Sequence, residues 1–455
     1  LEFPRASFFW WADFFTAIAQ TDVMVDTKKS SSEKAGVENA MIGSAAVIEQ
    51  TQSDRAKHTG TKFQWLWGMF LAALLSGGVV FGNHHWMRHK KDSYLSRCKS
   101  AQKEEQWLDL RIISAQWSAW DSSSVDAILY AADAEMHLED FESAVKYLWA
   151  IPDSDPRALS SLVALSKMQF GLINRPLDGV RTCERILRID NRATAAHHQL
   201  IEFYAVTLQK RKLEQQIRFA IDCQREPPRA YVYLFLMDTM RIAGASESNS
   251  RWLAEDPESE LFDVARVLHL PEPESGVRTS FGDDKYSLAD GLFKKFPDNL
   301  ELLAYKVDVS LRSGDVQAVF QLLSALPTAA DDDNRFWRAK GWLHLNRNEL
   351  HKSSEALDEA IRLFPMDWYA RNLLADLLRK QASLAEAQQL HELVQSARQL
   401  RIQINAIAID SEIPNPILTE LARLAEQCDD WQVAKALNQR LKLLNMPGPF
   451  SKQQR

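Results

Sequence analysis

The tightest constraint on this chain is an interval. Within residues 334–367, Trp337, Gly341, Ser353, Leu357, Ala360 and Pro365 stand at positions 4, 8, 20, 24, 27 and 32 of a 34-residue unit. One period on, Leu374, Ala375, Leu378, Leu384 and Ala387 fall at positions 7, 8, 11, 17 and 20. Small residues at 8 and 20 let two helices approach closely, and bulky ones at 4, 7, 11, 17 and 24 fill the remaining gaps. Proline at 32 ends the second helix, because it lacks an N–H and clashes with the preceding turn. No such unit can bury its own apolar face, so neighbours must stack.

The phase extends in both directions. With Pro156 at position 32, Glu139, Asp140 and Phe141 take 15–17; one period back, Trp107 takes 17, and residues 91–124 read as an opening helix pair. Gly314-Asp315-Val316 and Asp429-Asp430-Trp431 also land at 15–17. Residues 229–269 keep helical periodicity but lose the small-residue signature, and the turn-rich stretch 270–285 reads as a loop dividing the array. The expected organisation is therefore degenerate repeats over 91–269, the loop, clearer repeats over 286–448 and a short tail, 449–455.

This pattern resembles the tetratricopeptide-repeat superfamily over about residues 91–448, most specifically over 300–401. The resemblance implies an all-α fold, an α-solenoid in which helix hairpins wind into a right-handed superhelix. It also implies a concave face, lined by each unit's first helix, that grips an extended peptide or a partner's helix. The superfamily's groove positions (2, 5, 9 and 12) correspond to Arg335, Arg338, Trp342 and Leu345 in one unit. In the next they are Tyr369, Asn372, Asp376 and Arg379. Arginines beside aromatics suit an acidic peptide with a hydrophobic anchor. The carboxylate clamp of chaperone-binding relatives needs asparagine at position 9 of its first unit; Trp342 stands there, so that activity is not implied.

A second feature sets an address. The 21 residues from Phe63 to Asn83 carry no charge, and about 20 apolar residues suffice for a helix to cross a hydrocarbon core. Trp65 and Trp67 stand at one end of the run and Trp86 just past the other, as rings that favour the lipid–water boundary do. A single transmembrane helix is assigned to 63–87, in contact with the lipid bilayer. Arg55, Lys57 and Lys62 before it nearly balance Arg88, Lys90, Lys91 and Arg97 after it, which leaves the side of the repeats open. Gly78 and Gly82 form a GxxxG, a possible homodimer contact. Residues 1–62 read as a polar, disordered tail, with Met24 as a candidate start and 1–23 then not native. An anchor followed by repeats looks like bitopic bacterial members of the superfamily, hence an expected single-pass location in an inner membrane.

Chemistry is hard to find. There is no GxxxxGK[ST], strand-borne GxGxxG, HExxH or GxSxG, so no catalytic or cofactor-binding residue is assigned and the chain is not expected to be an enzyme. Cys98, Cys183, Cys223 and Cys428 form no CxxC, which argues against a metal site and leaves a disulfide open. His84, His85 and His89 fit a basic surface meeting lipid head groups better than a metal site. Asp331, Asp332 and Asp333 fit a helix N-cap cluster. A net charge of −7 gives no electrostatic footprint for nucleic acid. The expected work is recruitment of a protein partner to a membrane complex. A part in an envelope-assembly or secretion machine is the first alternative, and an enzyme hidden in 229–299 the second.

Overall fold

Residue spacing alone predicts where these helices begin, and the computed structural model describes residues 83–271, 285–407 and 412–445. Helices account for the regular structure among them, with no strand. They fall into two compact units that divide between Ala158 and Leu159, not at the turn-rich stretch 270–285. The first unit contains α1 (residues 83–103), α2 (Trp107–Trp120), α3 (Val125–His137) and α4 (Phe141–Trp149). Its core sets Cys98 and Ala101 of α1 against Leu110, Ile113 and Trp117 of α2 and Ala127 and Ala134 of α3.

The second unit begins within α5 (Ala158–Phe170) and continues through α6 (Pro176–Ile189), α7 (Thr194–Val206) and α8 (Lys210–Asp222). Next come α9 (Pro228–Leu236), α10 (Ala245–Glu255), α11 (Glu260–Leu268) and α12 (Lys285–Lys295). The clearer repeats supply α13 (Leu300–Ser313), α14 (Val316–Ser324), α15 (Asn334–Asn346) and α16 (Leu350–Leu363). Four helices close the unit: α17 (Trp368–Lys380), α18 (Leu384–Asn405), α19 (Asn415–Gln427) and α20 (Trp431–Asn445).

The register is regular. In the pairs starting Val125/Phe141, Thr194/Lys210, Leu300/Val316, Asn334/Leu350, Trp368/Leu384 and Asn415/Trp431, the second helix begins 16 residues after the first. From Leu300 to Asn334 to Trp368 the first helices repeat every 34 residues, as do Thr194 and Pro228. Side chains start many of them: Asp140, Asn299, Asp315, Asp333 and Asp367 each accept an N–H from the first turn of the helix they precede.

The turns repeat too, and here the sequence is silent. Glu139, Leu208, Gly314, Asn348, Ala382 and Asp429 each stand two residues before a second helix with φ between 55° and 72°. The next residue in each then donates its N–H to a carbonyl five residues back: Asp140 to Glu135, Gln209 to Tyr204, Asp315 to Ser310, Glu349 to His344, Ser383 to Leu378 and Asp430 to Ala425. This is the left-handed C-terminal cap of helices, carried mostly by residues with a β-carbon. At the exposed Ala382, glycine would remove the left-handed penalty and lose no packing. Ala382→Gly should therefore raise stability by about 0.5–1 kcal/mol, read as a higher urea midpoint at unchanged slope.

Close approach explains position 8. A β-carbon on Gly341 would lie 2.6 Å from Cγ and Cδ2 of Leu357, and Ser353 Oγ donates to the Gly341 carbonyl at 2.9 Å. Across the undescribed stretch 272–284 the core does not break. Val264, Val267 and Leu268 of α11 cluster with Ala289 and Leu292 of α12 and Leu302 of α13. Lys285 Nζ donates to the carbonyls of Leu268 and Leu270 at 2.8 and 3.1 Å, capping α11.

Within the second unit the last hairpin returns to α8. Arg218 donates to both oxygens of Asp430 at 3.2 and 3.0 Å, and Gln432 Nε2 to Asp222 at 2.8 Å. Arg440 reaches the Glu226 carbonyl at 2.5 Å.

No helix among the described residues is long and apolar enough to cross a membrane. Of the expected span only 83–87 is described, as the exposed beginning of α1. Residues 1–82 lie outside the described residues, and with them the expected tail, Met24, Gly78 and Gly82; so does the tail 449–455.

Candidate partner-binding face

The first helices of the two clearest repeats, α15 and α17, carry the residues expected to line a groove. At their N-terminal ends those residues already have partners. Asp238, just past α9, receives Lys210 Nζ at 2.5 Å on one oxygen and Arg338 Nη1 at 2.5 Å on the other. Arg338 Nη1 also meets both oxygens of Asp367, at 2.9 and 2.8 Å. Asn334 links the two acids, donating to Asp367 at 2.6 Å and Asp238 at 3.3 Å, and accepts from Lys210. Arg335 forms a two-pronged pair with Glu301 at 2.6 and 2.8 Å and is shared with Asp333. Tyr369 lies under the Arg338 guanidinium, 5.3 Å from its ring centroid, and accepts from Arg401 at 2.5 Å.

Burial makes this network costly to disturb. Side-chain exposure is 10% at Lys210, 6% at Asp238, 14% at Arg338 and zero at Asp367. Burial works to raise the Asp238 carboxyl, but Lys210, Arg338 and Arg335 overcome it and hold the group far below the carboxylate range. Asp333 is likewise held down against burial by Arg335 and Lys210. Burial opposes the charge of Arg338, yet Asp367 and Asp238 fix it more firmly than in water.

The predicted groove residues thus divide. Arg335, Arg338 and Tyr369 are drawn together into an internal network whose acid is the chain's own, so an incoming acidic peptide finds both arginines already neutralised. Leu345 faces the other way: it is 6% exposed and packs with Leu357, Ala360, Ala370 and Leu377. Its assignment to the groove is corrected, because α15 turns that position into the core shared with α16 and α17. Trp342 is half-buried on α15. Asn372 accepts from Arg398 at 3.2 Å, and Asp376 pairs with the exposed Arg379, which reaches His391 at 3.3 Å. Trp342, Asp376 and Arg379 occupy the C-terminal halves of α15 and α17 and Asn372 lies just before the middle of α17, and a partner could reach them without breaking the network.

Helix pairs offset by 16 residues and recurring at 34, with slim residues at the contact, decide the architecture. The hairpin stack is tetratricopeptide-like. Neither protein-family models nor curated proteins match the tetratricopeptide-like chain. Solved structures similar to it include the anaphase-promoting-complex hetero-tetramer Cut9–Hcn1, at 13% identity over 78% of this chain and 79% of that one, with a TM-score of 0.30. Yeast Tom70 is similar at 11% identity, 80% and 78% coverage and TM-score 0.23. The TPR domain of P58(IPK) gives 10%, 77% and 98%, and 0.22. Scores of that size decide nothing; the hairpins are identified by their own register.

Sequence reasoning missed Lys210 and Asp238. A weak signal was there: α9 has 9 residues where α7, α15 and α17 have 13. Its early end leaves 237–239 in a turn that carries Asp238. The four cysteines are free, with Cys98, Cys183 and Cys428 buried and Cys223 half-buried. Burial pushes the Cys183 thiol up to about 12 and the Cys428 thiol up to about 11, so neither is a thiolate nucleophile near neutral pH.

Proposed function

We propose that this chain is a membrane-anchored scaffold that recruits a protein partner through the residues of α15 and α17 that the internal network leaves out. The observation that carries the reading is the hairpin register itself. Stacked helix pairs present one long surface to macromolecules, and the half-exposed row Trp342, Asn372, Asp376 and Arg379 is the part of the expected groove that the internal network leaves accessible. The uncharged run from Phe63, with its tryptophans and basic flanks, supports the anchor. Tethering would raise the scaffold's effective concentration near a membrane complex.

A photo-crosslinking residue placed at Asp376, compared with one at the exposed Lys352 on α16, tests the reading in native membranes. Position 376 should give a discrete crosslinked product that position 352 does not. Equal labelling, or none from either, defeats the face assignment, and release of the chain by an alkaline wash defeats the anchor.

A further inference from the structure

We propose that the first turns of α1 form a docking face for anionic lipid head groups, an inference that depends on the membrane-anchored reading above. Residues 84–91 carry three histidines, Arg88, Lys90 and Lys91, and no carboxylate precedes Asp92. All of 83–89 are exposed, including two apolar side chains: Trp86 is 56% and Met87 44% exposed. A large ring open to water at the head of a structured helix calls for a covering surface.

Trp86 is held in place, not loose. Its ring meets Trp120 of α2 edge-on, with centroids 6.5 Å apart at 83°. Lys90 Nζ sits 5.0 Å from the centroid of each ring and ties the pair together. Lys91 turns towards α3 and pairs with Asp126 at 3.2 Å while staying half exposed. Arg88 is exposed in the same two turns. The face therefore combines a fixed amphipathic ring, which favours the lipid–water boundary, with cations that favour phosphate-bearing anionic lipids over zwitterionic ones.

Distance along the helix fits the same occupant. At about 1.5 Å per residue, residues 84–88 cover roughly 7 Å directly after the uncharged run, comparable with the head-group layer of one leaflet. Farther along, α1 buries Cys98 and Ala101 in the core of the first unit. Head groups gripping its first turns would thus fix the orientation of that unit on the bilayer.

The test uses the full chain in vesicles of phosphatidylcholine with a minor share of phosphatidylglycerol. Bromine is placed near the head group of one lipid or the other, and the Trp86 signal is taken as the difference between the chain and Trp86→Phe. Per brominated lipid, phosphatidylglycerol should quench that signal about twofold more than phosphatidylcholine at low salt, and Arg88→Glu should remove the preference. Near-ultraviolet circular dichroism checks that both variants stay folded. Equal quenching by the two lipids overturns the proposal and leaves the anchor standing. Insertion without any Trp86 quenching also overturns it and reassigns the face to a protein partner. A chain that never enters the vesicles takes down the anchor and, with it, this proposal.

Discussion

Arg338→Ala should lower the unfolding free energy by about 3–5 kcal/mol, the cost of leaving a buried ionic partner uncompensated. The guanidinium satisfies Asp238 and Asp367 together, and Asp367 has no exposed side-chain surface of its own. Arg338→Glu should cost more, by placing a third carboxylate between two existing ones. Pairing Arg338→Met with Asp238→Leu should recover only part of the loss, since the double variant still leaves Asp367 without its cation and takes Asp238 from Lys210. The double-mutant cycle, measured by urea denaturation with far-ultraviolet circular dichroism, reads the coupling directly. An unchanged midpoint in Arg338→Ala would show that the arginine is free, and the groove-open expectation of the sequence would stand after all.

The second large effect concerns the contact at position 8. Leu357 is fully buried against Gly341, so Leu357→Ala should destabilise by about 2–5 kcal/mol through lost transfer energy and a cavity. Gly341→Ala alone should cost about 1–3 kcal/mol by overpacking, its new methyl meeting the leucine branch. Together the two changes should cost less than their sum, because each relieves what the other creates: the methyl moves into the space that the leucine vacated. Strict additivity would falsify the claim that a slim residue at 341 exists for that leucine. Thermal unfolding of the four proteins, with slopes compared to confirm a common transition, gives the answer.

The helix starts at Trp107, Phe141, Val316, Leu350, Leu384 and Trp431 coincide with position 17 of the repeat, because the spacing of slim and bulky residues is local physics written along the chain. What escaped is long-range or conformational. Lys210 and Asn334 are 124 residues apart, Asp238 and Arg338 100, and no local pattern announces a hydrogen bond or an ion pair formed across such distances. The left-handed turns escaped for a different reason: Glu139, Leu208 and Ala382 are held there by the hairpins on either side, against their own preference. Leu345 shows the limit of transferring positions from a superfamily. Arg335, Arg338 and Tyr369 meet around the chain's own acids.

The return of the last hairpin to α8 also changes how this array should come apart. An open row of repeats is sewn only to its neighbours, and its terminal pair frays first. Here Arg218 and Arg440 stitch the last hairpin to the interior of the second unit at α8 and Glu226, so α19 and α20 have no loose hem. Heat or force would have to rip the middle and the end together.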